Sequence, residues 1–226
     1  MTRRFVQAVG KLPLSWKLVL FAAGILPCLW ISVAVLLNNS YDETLSHASK
    51  DSQNLASVFA EEVDSSVNAI DLTLIDLRER WLEDPPRLDA KVRQRQAYLE
   101  KRVAFQVSII NAEGRLIYSS VDPSVRGLDL SDREHFRTHI GGTDKLFVSR
   151  PVKGRVSARE TIQFSRPVLR AGNRFAGVIV LSVAPDYFTR FSGKIQLGAH
   201  GSIALIRADG AIIAREPAVS AAPGML

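Results

Sequence analysis

Leu18 to Leu37, LVLFAAGILPCLWISVAVLL, is a run of 20 residues without a charge. A helix of about 20 apolar residues is what crosses the hydrocarbon core of a bilayer. The run therefore enters a membrane or is buried in a core. A core helix normally carries a polar face, and this run lacks one. Pro27 lies inside it, which membrane helices tolerate. Trp16 and Trp30 are amphipathic, and Trp16 suits the interface. A cleaved signal peptide would have a shorter apolar region and small residues before the cut. Here the run ends in Leu36-Leu37-Asn38-Asn39. The reading is an uncleaved anchor. Arg3, Arg4, Lys11 and Lys17 precede it, while Asp42 and Glu43 follow it. The positive-inside rule then puts the N-terminus in the cytoplasm. Everything after Asn38 is expected outside the plasma (inner) membrane of a single-pass protein, in the periplasm of a Gram-negative cell.

The formal charge of the 226 residues is +6, and 46% are hydrophobic. The four cations ahead of the apolar run account for most of that charge; +6 less 4 leaves +2 for the rest. There is no basic block and no basic stripe interleaved with aromatics, so nucleic acid is not an expected partner. Cys28 is the single cysteine and lies in the apolar run. It forms no internal disulfide, and its surroundings do not suit a nucleophile.

Between Asn38 and Glu83 there is neither proline nor glycine. Apolar or small residues recur at Tyr41, Leu45, Ala48, Ser52, Leu55, Phe59, Val63, Val67, Ile70, Leu74, Leu77 and Trp81. Spacings of three and four predict a helix. At ~1.5 Å per residue it would span roughly 65 Å, more than one small lobe covers. The distal half suits packing on the protein's own sheet. The proximal half suits a second copy of itself, giving a homodimer. Pro85 and Pro86 end the helix. A second helix is expected from Leu88 to Arg102.

The character then changes. FQVSIINAEGRLIYSS, from Phe105, reads as two strands joined at Glu113-Gly114. KLFVSR, ETIQFSRPVLR and RFAGVIVLSV follow, the last two joined at Ala171-Gly172-Asn173. About five short antiparallel strands result, with one short helix inserted after the second. VSIINAEGRLIYSS from Val107 and IALIRADGAIIARE from Ile203 share one pattern, with turns at Glu113-Gly114 and Asp209-Gly210. The second copy reads as the first hairpin of a second, similar lobe. After Glu216 the pattern stops. Either the chain is a fragment, or the hairpin packs onto the first lobe as an extra.

GLDLSDREHFRTHI, FVSRPVKGRVSARETIQFSRPVL and RFAGVIVLSVAPDYFTRF together resemble the double Cache sensor family. The matching pattern is Asp-Arg-x-aromatic-Phe, then Gly-Arg, then a Gly-Val-Val strand followed by Asp-Tyr-Phe. The resemblance covers roughly Tyr41 to Glu216. It implies an α+β, PAS-like lobe outside the cell that serves as the input of a bacterial receptor. Such modules sit on diguanylate cyclases, histidine kinases and chemoreceptors, and none of those output domains is in this sequence.

SDREHFRTHI, Ser131 to Ile140, holds two acids, two arginines and two histidines. His135 and His139 are four apart and share a helix face, a spacing that can bind zinc. Glu134 precedes the first histidine, however, so HExxH is not met, and no third ligand is apparent. A metal-dependent hydrolase would need one. No G-x-S-x-G elbow supports a serine nucleophile. Asp132 reads as a helix N-cap, with Ser131 as its rival. Arg133 offers a planar fork suited to a carboxylate, at a helix start whose N–H groups favour an anion. His135 and Phe136 would close over a small molecule. In amino-acid-binding relatives an Arg-x-Trp-Tyr run holds the carboxylate, and a later Tyr-x-Asp holds the amine. Arg133-Glu134-His135-Phe136 resembles the first element. Phe147-Val148-Ser149 stands for the second, with Ser149 in place of the acid. The resemblance thus implies a carboxylate ligand without an amine. Arg150, Arg159 and Thr161 on adjacent strands complete the candidate set.

The expected organisation is a cytoplasmic N-terminus (1–17), a transmembrane helix (18–37), a helical stalk (38–102), a membrane-distal lobe (103–190) and the start of a second lobe (191–226). The expected function is a non-enzymatic, cofactor-free sensor of a small organic acid. The competing reading is a non-sensing dimeric envelope scaffold.

Overall fold

The computed structural model describes residues 13–90, 92, 106–141, 143–190 and 201–217. The chain divides into two units, Met1–Ser57 and Val58–Leu226. Helix α1 (Leu14–Glu83) contributes residues to both. In the first unit the apolar run is helical, and Phe21 and Trp30 are each 67% exposed. Among the described residues α1 is the one helix long and apolar enough to cross a membrane. There is no break in helix at Asn38, as the absence of glycine and proline requires.

Helix α1 ends at Glu83, where Asp84 N donates to Arg80 O at 2.9 Å. A new helical turn covers residues 85–90. It starts ahead of Leu88, where the sequence placed it. The reason is that proline fits the first turn of a helix, where the N–H it lacks would have no helical partner. The Asp84 carboxylate accepts from Arg87 N at 3.3 Å and closes this start. The expected continuation to Arg102 lies outside the described residues.

The second unit is built on an antiparallel sheet. Its strands are β1 (Gln106–Asn111), β2 (Leu116–Ser119), β3 (Phe147–Val148), β4 (Val152–Lys153), β5 (Glu160–Arg170) and β6 (Arg174–Val183). The order is β2-β1-β6-β5-β3, with β4 pairing the outer end of β5. β4 is a strand the sequence did not announce; two residues are too short for periodicity to show. Helix α2 (Glu134–Arg137) is inserted between β2 and β3, and α3 (Asp186–Thr189) follows β6.

Side chains alternate between the faces of a strand. The register places Val107, Ile109, Ile179, Leu181, Ile162 and Phe164 together on one face, and all are buried. Helix α1 covers this face with Ile70, Leu74 and Leu77, the distal part of the stripe. The same register puts Gln106, Ser182 and Gln163 in one row on the opposite face, beside Ser108 and Ser165. That part of the second face is polar and nonetheless buried.

An ion cluster ties α1 to the sheet. Arg166 on β5 donates through Nε and Nη2 to Asp71 of α1, at 2.5 and 2.7 Å. Its Nη1 donates to Asp144 at 2.8 Å. Arg78 of α1 reaches the same Asp144 at 2.8 Å, and Pro167 O at 3.1 Å.

Strands β7 (Ile203–Ile206) and β8 (Ile212–Glu216) form a separate two-stranded hairpin. Its turn falls at Asp209-Gly210, matching Glu113-Gly114. Ile213 and Ala214 are buried in the main cluster, so the hairpin packs on the first lobe.

Gly177 on β6 pairs with Asn111 of β1 and has φ +139. A Cβ there would meet Ile110 O at 2.0 Å, a backbone atom that cannot turn aside. Replacing Gly177 by Ala is expected to cost about 3 kcal/mol through strain and clash between the two central strands. Thermal unfolding of the purified chain checks this; an unchanged midpoint would show that the two strands are not held this close.

Candidate ligand pocket

The polar face of the sheet is roofed by α2, the loop before it and the β4 segment. Gly114, at φ +79, sets this roof: its place for a Cβ is 2.5 Å from Ser131 Cβ. Leu130 N donates to Gly114 O at 2.8 Å, so the first hairpin turn carries the loop that enters α2. Neither Ser131 nor Asp132 caps that helix. Ser131 Oγ donates to Asp129 at 2.7 Å, and Arg155 captures both oxygens of Asp132 at 2.8 and 2.7 Å. Arg133 occupies the N-cap position without a side-chain cap bond.

Between roof and sheet lies a cavity of about 40 Å³. That is room for a water or two, not for a metabolite. Its floor is Gln106, Ser108, Gln163 and Ser182, and its roof includes Arg133, His135, Gly154 and Arg155. The floor is bonded internally. Ser182 Oγ donates to Gln163 Oε1 at 2.6 Å, and Gln163 Nε2 donates to Thr161 Oγ1 at 2.7 Å. Gln106 Nε2 reaches Ser108 and Ser119 at 3.2 and 3.3 Å. Amides and hydroxyls that can exchange partners are held here away from bulk water.

Both roof guanidiniums are engaged. Arg133 Nη2 donates to Lys153 O at 2.9 Å, joining α2 to β4. Arg155 adds Asp129 O, at 2.7 Å, to its grip on Asp132. No carboxylate is among the described residues lining the cavity.

Of the residues singled out in the sequence, Arg133 and His135 line the cavity. Phe136 points instead into a core of Ile110, Leu116, Leu130, Val178 and Val180, edge-on to Phe175. Ser149 pairs strands: its Oγ accepts from Gln163 N at 2.9 Å and donates to Arg150 O at 2.6 Å. Arg150 reaches Asp209 of the hairpin at 3.1 Å. Arg159 is exposed, and Thr161 stands behind Gln163 rather than in the lining. Reasoning from the motif missed Gln106, Ser108, Gln163, Ser182 and Arg155. The signal was there in Gln106-x-Ser108 and Gln163-x-Ser165, polar residues at a period of two inside otherwise apolar strands.

His135 lies in α2 and His139 two residues beyond its end, and they serve different neighbours. His139 Nε2 lies 3.0 Å from Ser165 Oγ, which itself donates to His135 O at 3.2 Å. Since the hydroxyl proton goes to that carbonyl, the ring donates through Nε2. Among the described residues no three His, Cys, Asp or Glu side chains form a metal-binding group.

The Cache domain family matches residues 36–223. The chain belongs to this family. Cache domains are sensor domains rather than catalytic ones. The extracellular domain of rpHK1S-Z16 is 29% identical at a TM-score of 0.65, over 73% of this chain and 68% of that one. The ligand-binding domain of the Pseudomonas aeruginosa amino acid chemoreceptor PctC, solved with GABA, is 17% identical at 0.55, over 70% and 72%. That of the Pseudomonas fluorescens chemoreceptor CtaA, solved with L-serine, is 15% identical at 0.54, over 72% and 69%. The latter two likenesses show the fold. A comparison with curated protein sequences returns no match.

Burial pushes His135 down to about 4, helped by Arg133 and His139. Burial also pushes His139 down to about 4, with Arg166 adding to it against the bond to Ser165. An unfolded chain protonates these rings below their ordinary 6.5, whereas the folded chain resists until about 4. Stability from their neutrality is therefore complete above pH 6.5 and drains away as pH falls to 4. Asp132, held low by Arg155, contributes stability that is lost only below its ordinary 3.8. The melting midpoint is expected to fall between pH 6.5 and 4, and His135→Gln with His139→Gln should flatten that slope. A slope unchanged by both substitutions would contradict buried neutral imidazoles.

Proposed function

We propose that the chain is the ligand-sensing input of a membrane-anchored receptor, and that the cavity under α2 takes a small organic acid. The observation that carries this reading is the lining: two guanidiniums, amides and hydroxyls, and no carboxylate among the described residues. Such a lining favours an anion and offers an ammonium group only neutral acceptors. The structural relatives solved with L-serine and GABA support a small-molecule ligand; both compounds carry a carboxylate and an amine.

At about 40 Å³ the cavity is contracted to the size of a water or two. The bonds that close it use the groups a carboxylate would seek. Arg133 is spent on Lys153 O and Arg155 on Asp132. A carboxylate would take over one of these guanidiniums and release β4 or the loop before α2. Ligand then selects an open roof, and the shift is as large as its preference for that state.

The positive-inside pattern ahead of the apolar run supports a lobe outside the cytoplasm. In the first unit, Tyr41, Leu45, Ala48, Ser52 and Leu55 follow steps of four, three, four and three. That is a heptad seam. Tyr41 is 65% and Leu45 51% exposed, so this part of the seam has no cover among the described residues of its own unit. A second copy is the proposed cover.

Two experiments test these readings. The first is a thermal-shift screen of the purified chain against organic acids and amino acids, where a ligand bound only by the folded form raises the midpoint. A carboxylate should do so, and Arg133→Ala should abolish the shift. No shift across the panel in well-folded protein would remove the sensor reading in favour of a scaffold. The second is oxidative cross-linking in membranes, on a Cys28→Ser background. Cysteine at Tyr41, Leu45 or Ala48 should give dimers, and cysteine at Glu43, off the seam, should not. Equal cross-linking at all four positions would contradict a seam.

A further inference from the structure

Asn111 and Arg207 hold the same place in the two repeated hairpins, two residues before the acid of the acid-Gly turn. The backbone around them is the same. Asn111 N donates to Arg115 O and Gly114 N to Asn111 O, at 2.8 and 3.0 Å. Arg207 N donates to Ala211 O and Gly210 N to Arg207 O, at 2.8 and 2.9 Å. The side chains differ in what they do. Asn111 Oδ1 accepts from Arg115 N at 2.7 Å and closes its own turn. In the second hairpin that task passes to Asp209, whose Oδ1 accepts from Ala211 N at 3.2 Å. Arg207 is thereby released from turn duty.

Its guanidinium reaches out of the hairpin. Nη1 donates to Val148 O of β3 at 2.8 Å. The group lies over the Phe147 ring, 5.5 Å from its centroid. Nη2 stands 3.7 Å from Glu134, the first residue of α2. Asp209, 3.3 Å from Nε, steadies the fork and is itself held by Arg150. The Phe147 ring in turn packs edge-on against His139, at the end of the pocket segment. A half-buried guanidinium with a carbonyl, a ring and two carboxylates around it is a fixed joint, more than an exposed ion pair would be.

We propose that Arg207 is a positioning residue that fastens α2, which roofs the pocket, and its neighbour β3 to the β7–β8 hairpin, so that neither moves alone. The hairpin thus senses the state of the roof through Phe147 and Glu134. On the ligand reading above, on which only this consequence rests, opening of the roof would be handed to the second hairpin through this one side chain.

Hydrogen exchange by mass spectrometry on the full chain, in detergent and without ligand, tests the joint. In Arg207→Ala, exchange should rise roughly tenfold both in the segment 134–140 and in the hairpin 203–216, while the central strands β1 and β6 hold their wild-type rates. Phe147→Leu keeps apolar volume but removes the ring under the guanidinium, and should loosen the hairpin as well. Arg207→Lys, which keeps the charge and loses the fork, should fall between and guards against a global loss of fold in the alanine variant. Loosening of the hairpin with segment 134–140 unchanged would reduce Arg207 to an anchor of its own hairpin and overturn the proposal. Because no ligand is used, a failed ligand screen leaves this result standing, and the converse also holds.

Discussion

The fold rests on the way Arg166 is shared. A single guanidinium on the central part of β5 holds Asp71 of the long helix on one side and Asp144 of the loop after α2 on the other. Arg78 returns from the helix to the same Asp144. Burial alone would push the Asp144 carboxyl up, but bonds from Arg78 and Arg166 outweigh it and hold it low. The side chains of Arg166 and Asp71 are 14% and 21% exposed, so this pair is largely shielded from water, while Asp144, at 40%, stands at its edge. Removing one partner from such a group leaves the others uncompensated, which is why it constrains more than its bond count implies. Helix, sheet and roof segment meet at this point.

From that joint the two faces of the sheet take different tasks. One is apolar and dry against Ile70, Leu74 and Leu77. The other is split. Its lower part, Ile110, Val178 and Val180, packs on Phe136, and its upper row of Gln106, Ser182 and Gln163 is polar under α2 and the β4 segment. A buried polar row is a costly thing to keep unless its groups are bonded, and here they bond to one another. That arrangement tolerates exchange of partners in a way a hydrophobic core does not. A sensor needs such a surface, and the family to which the chain belongs supplies a fold that roofs it.

Much of the architecture was legible in the sequence because it is written in periods. The charge-free run, the three-and-four spacing from Tyr41 to Trp81, and the turns at Glu113-Gly114 and Asp209-Gly210 each follow from local chemistry. What failed was also physical. The helix restarts at Pro85, because proline suits a first turn as well as it ends a helix. Asp132 looked like a cap, but a bidentate arginine 23 residues away outbid the backbone for it. The site was half legible. Arg133 and His135 announce themselves by residue type, whereas Gln106, Ser108, Gln163 and Ser182 are ordinary residues given meaning by strand register. Phe136 shows the reverse, an aromatic that reads as a ligand cover and is core.

A double-mutant cycle on Asp71 and Arg166 tests the joint most directly. Asp71→Ala, Arg166→Met and the pair would be compared by denaturant unfolding of the purified chain. A coupling energy of about 0.5–3 kcal/mol is predicted, the range for residues that share one salt-bridge network. Additive losses, with coupling near zero, would mean that the long helix is held by its apolar stripe alone, and that the roof of the pocket has no charged link to it.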